Sequence, residues 1–152
     1  MKILQFAFGP QTPTSPDSPH NHEMNCVVYT GTHDNNTTRG WFEAEATPPA
    51  RRALSRYLGR RMTEDTIVRE LIRVALSSPA KDAVLTAQDL LDLGAGARMN
   101  TPGLSEGNWG WRAPEDALCL CGGGHALAEN LRGQCELYGR TPGMEPEAQD
   151  LP

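Results

Sequence analysis

His33 and Asp34 stand side by side in "VVYTGTHDNNTTRGWF" (Val27–Phe42), just after a β-branched run and a glycine. A carboxylate at the end of a strand can stabilise a developing cation, act as a base or orient hydroxyl groups. An adjacent imidazole can donate a hydrogen bond to the same ligand. In α/β barrels such side chains gather at the C-terminal strand ends, where the βα loops converge. A second reading stays open on local grounds: Asp34 or Asn35 caps a helix that begins near Thr37. The two are compatible.

Arg98–Arg112, "RMNTPGLSEGNWGWR", holds three glycines, two asparagines and two tryptophans with no helical or strand period. It reads as a long shaped loop. Trp109 and Trp111 suit stacking on the flat apolar faces of sugars, and Asn100 and Asn108 suit pairing with hydroxyls. The alternative is that both tryptophans plug the underside of a helix layer. His20-Asn21-His22 has no acidic or thiol partner at metal-binding spacing and reads as solvent-exposed polar loop. Cys119, Cys121, His125 and Cys135 form a candidate zinc set, but their spacing matches no zinc module, and free cysteines near a helix commonly serve as small apolar groups. Gly122–Gly124 before a helix suits a phosphate but lacks the P-loop lysine and the dinucleotide glycine pattern.

The elements that must position these residues follow from periodicity. Ile3–Phe8, an apolar run closed by Gly9-Pro10, predicts a buried strand. Gln11–Asn25 is a proline-rich loop. Cys26–Thr30 predicts a second strand. A short helix is expected over Thr37–Ala46, and another over Pro49–Leu58 with Gly59 as its stop. Thr63–Ser77 carries the clearest helical pattern: Ile67, Val68, Leu71, Ile72, Ala75 and Leu76 share a face, Thr63 is the N-cap, and Glu64 and Asp65 suit the positive end of the dipole. Ala83–Thr86 predicts a third strand. Gln88-Asp89 opens a helical turn over Leu90–Leu93. His125–Tyr138 is a last helix, and Gly139–Pro152 a frayed tail. Strands alternating with helices imply parallel pairing through crossovers. Three such strands cannot close a barrel, so the pattern reads as part of a larger α/β architecture.

The chain has 152 residues, about one domain, and a net charge of −5 from 14 basic and 19 acidic side chains. That sign gives no general attraction for nucleic acid or anionic membranes. The apolar runs are far shorter than the ~20 residues a spanning helix needs, and the N-terminus lacks a signal-peptide pattern. The expectation is a cytoplasmic protein with four reduced cysteines.

Six segments together, "MKILQFAFG", "PHNH", "VVYTGTHDNNTTRGWF", "ELIRVALSSPAKDAVLTAQDLLDLG", "ARMNTPGLSEGNWGWR" and "ELYGR", resemble the C-terminal third of the 4-α-glucanotransferases (amylomaltases, disproportionating enzymes, glycoside hydrolase family 77). They stand in the family's order over residues 1–140. The resemblance implies the last three parallel strands, with their helices, of a (β/α)8 TIM barrel, followed by a disordered tail at 141–152. It implies retaining transfer of an α-1,4-glucan segment to a sugar hydroxyl, with no cofactor and no metal.

Such chemistry uses a nucleophilic carboxylate and a protonated acid/base, ~5 Å apart, around an oxocarbenium-like transition state. By resemblance, Asp34 is the third carboxylate, which favours the distorted, cation-like ring. His33 contacts the same sugar, and Asn100 lines the glucan groove. The family's nucleophile and acid/base precede "LQFAF", and no residue here matches either. The chain is therefore expected to be inactive and aggregation-prone alone. Its expected partners are a maltooligosaccharide and, on an alternative non-enzymatic reading, a separate N-terminal barrel part that it complements. Asn36 stands where the family usually has Asp, Leu104 where it usually has Thr, and Cys119–Gly124 looks unlike the family.

Overall fold

Short β-branched runs in this chain become strands, and its amphipathic runs become helices. The computed structural model describes residues 1–115, 117 and 123–141. The chain divides into two units, Met1–Ala113 and Pro114–Pro152.

In the first unit β1 (Lys2–Ile3), β2 (Val27–Tyr29) and β3 (Asp82–Val84) form a parallel sheet in the order β1-β2-β3. Lys2 pairs with Val28 and Ile3 with Tyr29; Val27, Val28 and Tyr29 pair with Asp82, Ala83 and Val84. Parallel neighbours need a crossover. Between β2 and β3 it consists of α1 (Thr38–Gly40), α2 (Pro48–Tyr57) and α3 (Glu64–Ser77). The expected parallel α/β sheet is present among the described residues as an open three-stranded array.

The core gathers Leu4, Val28, Leu54, Ile67 and Leu71, all fully buried. Full burial of each such aliphatic contributes roughly 1.5–3 kcal/mol relative to exposure. α3 supplies more of the core than any other element and packs against α1, β3 and α4 (Ala87–Leu90). Its start is fixed as the sequence predicts: Thr66 Oγ1 accepts from Thr63 N at 3.0 Å, and Glu64 and Asp65 occupy the first turn. α3 also carries Glu70, 2% exposed, among Arg60, Arg69 and Arg73. Burial would raise this carboxyl, but hydrogen bonds from Arg60 and Arg73 outweigh it and hold it below the ordinary glutamate range.

Several expectations are corrected. Of the predicted first strand, Ile3–Phe8, only Ile3 belongs to β1; Leu4–Phe6 is a 3-10 turn. Leu4, Ala7 and Phe8 are buried while Phe6 is 59% exposed, a helical rather than an alternating pattern. A continuous apolar run cannot distinguish these cases. The predicted helix at Thr37–Ala46 is α1 running into a π turn over Trp41–Glu45, closed by Ala46 N to Trp41 O at 2.7 Å.

The third strand begins and ends earlier than predicted. Thr86, its predicted last residue, is the N-cap of α4, accepting from Asp89 N. The His20–His22 loop is exposed only in part. His22 is buried, with Nε2 donating to Asp17 O (2.9 Å) and Nδ1 accepting from Ser78 Oγ (2.7 Å).

In the second unit α5 spans Gly123–Leu137. Cys119, Cys121, Gly122 and the predicted tail from 142 onward lie outside the described residues. Among the described residues no group of three His, Cys, Asp or Glu is placed to hold a metal. No helix among them is long and apolar enough to cross a membrane.

Candidate active site

β2 runs out at Thr30-Gly31, where the missing side chain of position 31 leaves room for Gln5. A Cβ on Gly31 would stand 2.6 Å from Gln5 Nε2. The next four residues close a turn: Asn35 N donates to Thr32 O (3.1 Å), and Asn35 Oδ1 accepts from both Thr32 N (2.9 Å) and Thr32 Oγ1 (2.8 Å). His33 and Asp34 are left at its tip, both about half exposed.

The helix-cap reading is overturned. Thr37 caps α1, its hydroxyl accepting from Gly40 N at 3.1 Å. Asp34 instead faces the 98–109 loop. Its Oδ1 accepts from Asn100 Nδ2 at 2.6 Å and lies 3.4 Å from His33 Nε2. Its Oδ2 has no hydrogen-bond partner among the described residues. The structure thus brings His33, Asp34 and Asn100 together.

Arg98 fastens the two loops. It donates to Asp34 O (2.8 Å), to Asn100 O (2.8 Å) and to Glu45 Oε1 (3.2 Å), while Asn100 N donates to His33 O (3.1 Å). Glu45 Oε1 also accepts from Asn36 Nδ2 at 2.8 Å. The π turn thereby delivers a carboxylate to the back of the site.

Trp109 lies in the left-handed region at φ +62°, a strained conformation for an aromatic residue. Its N donates to Met99 O (2.7 Å), and its carbonyl accepts from Arg112 (2.8 Å). Its ring sits 5.3 Å from the His33 ring and is 54% exposed, so Trp109 is no plug beneath a helix layer. A crevice of about 220 Å³ opens beside this pair, lined by Gly31, His33, Asn36, Gln88, Arg98 and Trp109 among others.

Asp89 is the buried support. Its carboxylate accepts from Thr30 Oγ1 (2.5 Å), Thr38 Oγ1 (2.8 Å) and Thr38 N (2.8 Å), tying the end of β2 to α1 from the start of α4. Sequence reasoning assigned no role in the site to Asp89, which it read only as opening a helical turn, or to Glu45 or Arg98. Arg98 alone had a signal, its place in the "RMN" segment; the other two act through contacts distant in sequence.

The chain resembles known proteins along most of its length. A family model described as 4-alpha-glucanotransferase matches residues 1–117. A 4-alpha-glucanotransferase of Streptococcus pneumoniae is 49% identical over 140 residues, covering 92% of this chain and 26% of that protein. A chloroplastic/amyloplastic 4-alpha-glucanotransferase of Arabidopsis thaliana is 44% identical over 144 residues, covering 92% of this chain and 23% of that protein. The solved structure of the amylomaltase from Streptococcus agalactiae, in complex with acarbose, superposes with a TM-score of 0.79 at 34% identity, covering 92% of this chain and 27% of that one. The chain spans about a quarter of the length of the relatives it matches. By this match of sequence and fold together, the chain belongs to the 4-alpha-glucanotransferase family.

Proposed function

We propose that this chain forms one wall of a retaining 4-α-glucanotransferase site acting on α-1,4-glucans in starch, glycogen or maltodextrin metabolism. The observation that carries the reading is Asp34 in the family's "THD" motif, half exposed, with Oδ1 held by Asn100 and Oδ2 without a partner among the described residues; its neighbour His33, not Asp34 itself, lines the crevice. A carboxylate fixed through one oxygen can take sugar hydroxyls with the other. Its charge then favours the flattened, cation-like ring as the glycosidic bond breaks. His33 donates to the same sugar, Asn100 orients Asp34, and Trp109 presents an apolar ring face beside them.

Transfer itself needs a nucleophile to form the glycosyl-enzyme bond and an acid/base to protonate the departing oxygen and later deprotonate the acceptor. In this proposal both come from an N-terminal barrel part that joins the chain. The outer edges of β1 and β3 pair with no strand among the described residues, and Phe6 and Val84 are exposed beside them. Such edges and apolar surface suit completion by further parallel strands. Cytoplasmic residence belongs to the same proposal, and cell fractionation tests it.

The activity test uses maltotriose. The 152-residue chain alone is expected to give no longer or shorter products and to be aggregated or partly ordered. Co-expressed with strands one to five of a relative's barrel, it is expected to be soluble and to disproportionate maltotriose. Transfer by the chain alone would refute the division of labour.

A further inference from the structure

α2 and the loop after it concentrate positive charge in an acidic chain. Residues 46–63 contain Arg51, Arg52, Arg56, Arg60 and Arg61 and no acidic residue, while the net charge of the whole is −5. Two of the five are already engaged. Arg51 donates to the carbonyls of Phe42, Glu43 and Ala46 and stacks over the Phe42 ring at 4.6 Å. Arg60 pairs with Glu70.

Arg52, Arg56 and Arg61 differ: each is exposed, and no side-chain hydrogen bond or ion pair to any of them is present among the described residues. They nevertheless converge, with Arg51 and Ser55, on one crevice of about 440 Å³ floored by Phe42. Arg52 and Arg56 are one helical turn apart, a like-charge spacing that weakens a helix unless an anion relieves it. Guanidinium groups bind phosphate oxygens in two-pronged geometry, and several together match a dianion better than a single carboxylate. The crevice shares no lining residue with the one beside His33.

We propose that this arginine-lined crevice is a binding site for a phosphate monoester. Arg52, Arg56 and Arg61 donate to its oxygens, and the Ser55 hydroxyl, which accepts from Met62 N, donates its own proton. The ester is carried either by a free sugar phosphate or by a phosphorylated glucan. The site does not depend on the glucan-transfer reading.

The experiment titrates glucose 6-phosphate, a phosphorylated maltooligosaccharide, and unphosphorylated maltose into the chain and into its complex with the barrel part, at matched ionic strength. Binding of either phosphorylated probe, without binding of maltose at this crevice, supports the site; the tighter of the two identifies the source. R56Q/R61Q is expected to weaken binding about tenfold or more, and R56K/R61K, which keeps the charge but loses the planar fork, about fivefold. Glutamine and lysine are both good helix formers, so α2 is retained. In the wild-type complex, at least one of the two phosphorylated probes is expected to raise the melting temperature relative to chloride. No rise, or binding indifferent to the glutamine variant or fully kept by the lysine variant, would overturn the proposal.

Discussion

At the scale of single residues, the site is a set of short-range fixings around one carboxylate. Asn36 shows how finely they are tuned. Its Oδ1 accepts from Thr37 N at 2.9 Å, and its Nδ2 donates to Glu45 Oε1 at 2.8 Å. The resemblance puts aspartate at this position in most relatives. Aspartate would keep the acceptor and lose the donor, setting a second carboxylate against Glu45 with Arg98 as the shared cation. Asn36→Asp is therefore expected to destabilise the fold by about 1–3 kcal/mol at neutral pH. The loss should shrink as pH falls and the carboxyl pair takes up a proton. Denaturant melts of the co-expressed complex at pH 7 and pH 4 check this, and an equal loss at both would contradict it. His33, Asp34 and Asn100 were legible in the sequence because their motifs are contiguous. Asp89 and Glu45 were not, since Thr38 and Arg98, which they hold, lie 51 and 53 residues away.

At the scale of elements, legibility followed how local the determinants are. α2 and α3 were predicted to within a residue or two because prolines, caps and the apolar stripe are local signals. The first strand was misread because its apolar run turns into a 3-10 segment to bury Leu4 and Phe8. The loop before β2 was read as solvent-exposed, yet it is pinned to the end of α3 through His22 and Ser78, 56 residues apart. Burial pushes the His22 imidazole below its ordinary value, against the opposing hydrogen bond to Asp17 O. The folded state thus favours the neutral ring, and the unfolded chain takes up the proton first. This contribution is full above the ordinary histidine value of about 6.5 and is lost as pH falls through it towards the lower folded value. Stability should therefore drop on acidification from pH 7.5 to 5.5, and His22→Gln should flatten that part of the profile. An unchanged slope in the variant would contradict the assignment.

At the scale of the whole molecule, the outer edges of β1 and β3 pair with no strand among the described residues, and in the proposed function the chain supplies one wall of the site. β2 is shielded on both sides by its neighbours, while β3 is largely exposed and Val84 is 42% exposed. Parallel sheets are ordinarily buried on both faces, and the barrel part of the proposed function would supply that cover. The sequence carried the parallel order and the family. It did not carry closure of a barrel, which depends on strands the described residues do not include.

The central claim is that Asp34 stabilises the transition state of glucan transfer in the completed site. The most direct measurement compares maltotriose disproportionation by the co-expressed complex with wild-type chain and with Asp34→Asn. The variant keeps the shape of the side chain and removes its charge. The account predicts kcat lower by about 10²–10³-fold, with KM changed much less, as expected for a group that acts on the cation-like transition state. A variant with undiminished kcat would contradict it.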